Sequence, residues 1–366
     1  MVCRMTDLAD PTRRVLLDLP PKGGLHRKAP RASLSGVALR GRSLFLATDE
    51  GTVIDRLTMV DAGRFAEPRA FPLLGLLDLP NRTGKDDEID IEGIDIDGDL
   101  LWLVGSHTWT RGKPKDDPLA DLEEVKPNPN RGVLACLPLL PAGDGLLSLP
   151  EAGSDAPYPP AEGIARLPIG KKRGALEKAL KKDRHLKSFI GVPSKENGFD
   201  VEGMAVDGRR IFLGLRGPVL RGFALVLEIE VEDGKPGELA LKPVGPDGCR
   251  YRKHFLDLGG NGVRDLHRDG ADLLILAGPT VDIDGRCAIW RWRDALAMGK
   301  YSFTTRGSRL ERLLRIPVGN DDDHPEGFSL LERGGREVLV VYDTPAKGRC
   351  TGKGAVHADL FQLPHA

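Results

Sequence analysis

Aromatic residues are scarce in this chain of 366 residues, only 5% of the total, and there are only five cysteines. Those cysteines, Cys3, Cys136, Cys249, Cys287 and Cys350, are scattered, odd in number and free of any CxxC or Cys/His spacing. That argues against a disulfide scaffold and a thiolate metal site. Reduced structural thiols in a cytoplasmic protein are the expectation. No apolar stretch approaches the ~18 residues of a membrane-spanning helix. The first residues, Met1 to Arg14, lack an apolar signal core, and Met5 offers a second start. Net charge is only −1, so no broad electrostatic footprint for nucleic acid or an anionic membrane is expected. The short basic runs Lys171-Lys172-Arg173 and Lys181-Lys182 read as a solvated face. Neither GxxxxGK[ST] nor GxSxG occurs, so a P-loop and a nucleophile elbow are absent.

Glycine (45) and proline (28) are plentiful, together about a fifth of the chain, which suits many short strands joined by tight turns. One grammar recurs. A small or charged residue opens an apolar strand, most often followed by Gly, then come a tight turn, a second apolar strand and a polar end. Copies begin at Leu34-Ser35-Gly36-Val37, Ile91-Glu92-Gly93-Ile94, Val201-Glu202-Gly203-Met204, Val263-Arg264-Asp265-Leu266 and Pro325-Glu326-Gly327-Phe328. A further apolar element precedes each copy. Four short antiparallel strands per repeat is the pattern of a propeller blade.

The anchors are separated by 57, 110, 62 and 62 residues. The long gap admits a sixth copy at Ala161-Glu162-Gly163-Ile164, without a clear second strand. The reading is therefore an all-β chain forming a single β-propeller of six blades, one abbreviated. Five blades plus a helical insertion is the alternative. Residues 171–187 are read as that insertion, with an amphipathic helix over Ala175 to Leu186, and residues 108–130 as a long loop. The apolar run at 15–19 has no blade before it and would close the ring against the C-terminal blade, removing exposed sheet edges.

If the first strand of each blade lines the channel, its opening residues gather at one mouth. The ring reads Ser35, Glu92, Glu162, Glu202, Arg264, Glu326. Hairpin pairing sets Asp49, His107, Arg216 and Asp343 around it. Converging carboxylates repel one another unless a cation compensates. Oxygen ligands without thiolate favour a hard divalent ion, Ca²⁺ first, with Mg²⁺ or Mn²⁺ behind it. Glu92, Glu202, Glu326 and Glu162 are the expected metal ligands. His107 or Asp343 would be the general base. Arg216 and Arg264, with Arg221 of the glycine-flanked segment 214–221, would hold an anionic group. The acidic run Asp87, Glu88 and Asp90 reads as solvated loop or a second cation site.

The strings SKENGFDVEGMAV (194–206), GLRGPVLRGFALVLE (214–228) and DIEGIDIDGDLLWLVGSH (90–107) resemble the domain-of-unknown-function family numbered 3616. The resemblance covers most of residues 30–366 and implies a β-propeller, with no activity attached. The Glu-Gly openings are more distantly similar to those of phytase-like and gluconolactonase-like propellers. That similarity implies a calcium ion in or near the channel. Two functions follow as expectations. One is a metal-dependent hydrolase or lactonase acting on a small anionic molecule. The other is a non-catalytic propeller that binds a protein partner, its carboxylate–arginine ring being structural. Nucleic acid and membrane are not expected partners.

Overall fold

The computed structural model describes residues 8–82, 87–151, 163–281, 285–299, 301–319 and 322–365. The chain is an all-β propeller. Among the described residues five four-stranded antiparallel units are seen. The first consists of Leu34–Arg40, Ser43–Thr48, Val53–Asp61 and Arg64–Pro72. The second has Ile91–Asp97, Leu100–Gly105, Leu134–Pro138 and the short outer strand Ala165–Arg166. The third has Asp200–Asp207, Arg210–Gly217, Ala224–Asp233 and Arg252–Leu256, to which Ser302–Thr304 adds in parallel. The fourth has Gly262–Asp269, Asp272–Gly278, Cys287–Trp292 and Leu310–Ile316. In the fifth, His324–Leu330, Glu337–Asp343 and Ala355–Gln362 are completed by the N-terminal strand Arg13–Leu17, antiparallel to Ala355–Gln362. A fourth strand drawn from the other end of the chain ties first to last.

The inner strand of each unit packs against the inner strands of its two neighbours, the first against the fifth as well. Between every adjacent pair of units lies an apolar layer. Phe45 and Leu101 meet between the first and second, Trp102 and Met204 between the second and third, and Phe212 and Leu273 between the third and fourth. Leu276 and Phe328 fill the layer between the fourth and fifth, and Leu44 and Leu339 that between the fifth and first. This arrangement explains a period-two strand pattern with both faces apolar, because each sheet is covered on both sides.

The sixth, abbreviated unit is not among the units seen. Its anchor Glu162 lies outside the described residues. The residues beyond it, Ala165–Arg166, pair with Leu134–Pro138 as part of the second unit. The physical reason is the missing second strand, which leaves nothing for such a unit to build on. The helix that follows spans Ala175–Leu180, shorter than the amphipathic pattern suggests, and sets Leu176 and Leu180 into the layer between the second and third units. The segment expected as a plain loop at 108–130 holds a two-stranded ribbon, Trp109–Arg111 with Val125–Pro127, and a short helix Pro118–Glu123. Asp117 starts that helix, its side chain accepting from the Ala120 N–H, with Pro118 at the first turn where no N–H is needed.

Candidate functional site at the channel mouth

Each inner strand carries the same irregularity at the same place. The pairing register skips one residue between Leu34 and Gly36, Ile91 and Gly93, Val201 and Gly203, Val263 and Asp265, and Pro325 and Gly327. The skipped residues are Ser35, Glu92, Glu202, Arg264 and Glu326. A bulge residue leaves the ladder, so its side chain is re-aimed. Here all five are aimed into one pocket of about 160 Å³. A glycine follows four of the five, and crowding demands it: a Cβ on Gly203 would stand 2.7 Å from the Asp265 carbonyl carbon of the next inner strand. The Glu-Gly pair is therefore a bulge followed by a close strand approach.

The pocket also receives Arg216 and Asp343 from the second strands, Asp49 from just past one, His324 from the start of the fifth inner strand and Lys195 from the segment before the third. On one side the charges pair. Arg216 donates to Glu202 Oε1 at 2.7 Å. Arg264 Nε lies 3.0 Å from Glu202 Oε2 and donates to Glu326 Oε2 at 2.7 Å. Arg216 also donates to Thr280 O and Arg264 to Pro279 O. On the other side, among the described residues, no cation is hydrogen-bonded to Glu92, and Arg216 and Arg131 act on it only through space. Among the described residues Glu92 makes no hydrogen bond, and Asp49 Oδ1 is buried without one. Burial raises the Glu92 carboxyl well above its ordinary range, and Asp90, Glu202, Asp49 and Asp200 push it further. Asp49 is likewise raised well above normal by burial and by Asp90 and Asp343. Burial also raises Asp343, which accepts from the Thr344 hydroxyl.

A second tier of carboxyls stands behind the first. Asp90 and Asp200 occupy the same place in two repeats, two residues before Glu92 and Glu202. Both are buried and raised, by desolvation first. The acidic run is thus not solvated loop: Asp87 is buried against Arg27, and Asp90 lies 2.8 Å from Arg131. The repeated Asp-x-Glu-Gly string carried this signal. Lys195 had no comparable signal, being a single lysine in an irregular segment.

Two expected site residues go elsewhere. His107 takes a positive φ of 58° and turns its ring inward, Nδ1 lying 2.9 Å from Glu177 Oε1 on the inserted helix. It anchors that insertion and does not face the pocket. Arg221 is exposed in a turn at φ 50° and does not line the pocket. Glu162 lies outside the described residues. The ligand set expected for a divalent ion is also altered. The Arg264 guanidinium stands between Glu202 and Glu326, where an ion shared by those carboxylates would sit. Among the described residues no three His, Cys, Asp or Glu side chains are arranged to hold a metal ion. The described side chains, without Glu162, are therefore not arranged to hold the calcium that the second resemblance implies, and Arg264 supplies the positive charge between Glu202 and Glu326.

No curated protein matches the sequence. Among solved structures, the glutaminyl cyclase of Myxococcus xanthus is similar over 98% of both chains at 12% identity, with a TM-score of 0.40. A PQQ-bound aldose sugar dehydrogenase from Streptomyces coelicolor is similar over 96% of this chain and 99% of its own at 13% identity, TM-score 0.33. A streptogramin B lyase matches 92% of this chain and 95% of its own at 9% identity, TM-score 0.35. Likenesses of this size carry no inference about activity. The family described as protein of unknown function (DUF3616) matches residues 33–359, and the chain belongs to it.

Proposed function

We propose that the channel-mouth pocket is the active site of a hydrolase working by general acid–base catalysis on a small ester or lactone. The observation that supports this is the pair Glu92 and Glu202. They occupy equivalent bulges in adjacent inner strands, yet one is unpaired with a raised pKa and the other sits between two guanidinium groups. Neighbouring carboxyls driven into different states are the recurring arrangement of acid–base sites. A Glu92 carboxyl that keeps its proton donates it to the oxygen of a scissile bond. Asp343, raised less far than Glu92, is the pocket carboxylate that receives a proton from the attacking water. Arg216 and Arg264 fix Glu202, Glu326 and the Pro279–Thr280 backbone, which gives the pocket a rigid wall. Because both guanidiniums already hold carboxylates of the wall, a further anionic group would compete with Glu202 and Glu326 for them. A substrate neutral or basic at its reacting end suits the pocket better.

The test is hydrolysis of a panel of esters and lactones by wild type and Glu92→Gln. A substrate turned over by wild type should lose at least about 100-fold in kcat in the variant with KM little changed, since a positioned acid contributes roughly 10²–10⁴. Full activity in Glu92→Gln overturns the assignment. A panel left untouched by wild type favours the other reading, a binding propeller. That reading has its own support in Arg264, which joins Glu202 of the third unit to Glu326 of the fifth and so holds the ring closed.

A further inference from the structure

Away from the channel, a second group of reactive side chains lies between the third and fourth units. Ser302 opens the short strand Ser302–Thr304, which runs parallel to Arg252–Leu256 and places Ser302 beside His254. The Ser302 Oγ and His254 Nδ1 are 2.8 Å apart. On the far side of the ring, His254 Nε2 is 3.1 Å from Glu228 Oε2. The other Glu228 oxygen accepts from Arg210 at 3.0 Å and from Arg252 at 2.6 Å. Burial alone would raise the Glu228 carboxyl. The His254 hydrogen bond with Arg210 and Arg252 outweighs it, and the group is held below its ordinary range. Glu228 therefore stays an acceptor, which places the imidazole proton on Nε2 and leaves the Nδ1 lone pair facing the serine. The His254 ring is further fixed by packing 5.1 Å from the Trp292 ring, tilted at 57°. His254 and Glu228 are fully buried, whereas Ser302 is half-buried at the end strand of its sheet.

We propose that Ser302 is a nucleophile activated by His254 and Glu228, a second reactive centre that accepts acyl groups from small esters at the outer rim. A hydroxyl on a base that is itself oriented by a carboxylate is the general form of an activated serine. The two ring nitrogens exchange places relative to the familiar serine-hydrolase order, and either nitrogen can serve as the base. In the reaction the Ser302 Oγ bonds to the ester carbonyl carbon and its proton passes to His254 Nδ1. The alcohol then leaves with that proton as the carbon–oxygen bond breaks. Water later attacks the acyl-serine by the same route, releasing the acid and restoring Ser302. No residue of the channel pocket takes part, so this centre stands or falls independently of the acid–base site.

The experiment uses the full chain and a fluorophosphonate probe, whose phosphorus takes the serine oxygen as fluoride departs. Intact mass and peptide mapping should show one adduct, on Ser302. The adduct should vanish in Ser302→Ala, and in wild type unfolded in urea, because the activation needs the assembled relay. His254→Gln should slow labelling by on the order of 100-fold or more, the usual share of a positioned base. Should that variant unfold, the comparison of native with urea-unfolded wild type decides alone. No adduct on the native protein, an adduct on a different residue, or equal labelling of folded and unfolded chains would overturn the proposal.

Discussion

Glu92 and Glu202 begin as the same residue of one repeat. Both follow an Asp-x pair, both precede glycine, and both leave their strand at a bulge facing the channel. Their surroundings differ in one respect. The second strand of the third unit ends in Arg216 and the inner strand of the fourth carries Arg264, so Glu202 is paired twice. Past the end of the second strand of the second unit comes His107, which turns away to Glu177, and the inner strand of the first carries Ser35. The Ser35 hydroxyl is spent on the Ile91 carbonyl. Glu92 thus keeps its aim, with no cation hydrogen-bonded to it among the described residues. A repeat puts like residues in like places, and what lies beside them decides whether they hold the fold or remain free to react.

The largest expected effect comes from removing the shared cation. Arg264→Met should leave Glu202 and Glu326 facing each other with only Arg216 between the group and its neighbours. Breaking a buried pair by deleting one partner costs roughly 3–5 kcal/mol. Urea or thermal unfolding measures it, and a loss under about 1 kcal/mol, the worth of an exposed pair, would show that the arginine does not hold the ring. Glu202→Gln should cost less, roughly 1.5–3 kcal/mol, the usual value of hydrogen bonds to charged groups.

The comparison sharpens with Glu92→Gln, for which the sign should reverse. Burial and four neighbouring carboxyls disfavour the charged form of Glu92. A carboxyl whose pKa is raised in the folded state gives its full stability below its unfolded pKa and loses it as pH rises through the folded value. The neutral amide escapes that loss. Glu92→Gln should be at least as stable as wild type near pH 8, with a gain of about 1.4 kcal/mol for every tenfold rise in proton affinity that folding imposes on the native carboxyl. Near pH 4 the two should match. Asp95, pushed up to about 7 by burial, should add a decline in wild-type stability between pH 4 and 7 that Glu92→Gln leaves in place. Equal destabilisation by Glu92→Gln and Glu202→Gln would erase the distinction drawn between them.

Much of this geometry could be read in the residues before any coordinates. Apolar strands in pairs around tight turns, recurring at anchor spacings of 57, 62 and 62 apart from one long gap, identify repeated sheets, because burial on two faces writes itself into hydrophobicity. Four of the anchors and Arg264 share one register, and the pocket gathers all of them. What the sequence did not show lies in long-range partners. The destination of His107 depends on a helix 70 residues further on. The burial of Asp90 depends on Arg131 folding back across the second unit. The contact of Ser302 with His254 requires a strand from beyond the fourth unit's third strand to return to the third. None of these contacts follows from local pattern, since loop paths rather than periodicity bring the partners together.

The smallest effect is expected at Arg221, and it tests where the site ends. The segment 214–221 looks continuous in sequence, two arginines spaced among glycines, as though both served one anion. The chain divides them. Arg216 lies within the strand Arg210–Gly217 and points into the pocket, whereas Arg221 falls in the turn after Pro218, exposed and with positive φ. Arginine at positive φ carries a modest strain that glycine would relieve. Arg221→Gly should therefore leave stability within about 0.5 kcal/mol of wild type, as for most surface changes, and should not alter turnover of any substrate handled by the channel pocket. Arg216→Gln should do the opposite, because it frees one oxygen of Glu202 and loosens Thr280 at the pocket wall. If Arg221→Gly instead weakened substrate binding severalfold while Arg216→Gln did not, the working surface would lie on the rim turn rather than in the ring. The contrast between Glu92 and Glu202 would then concern the architecture of the channel alone.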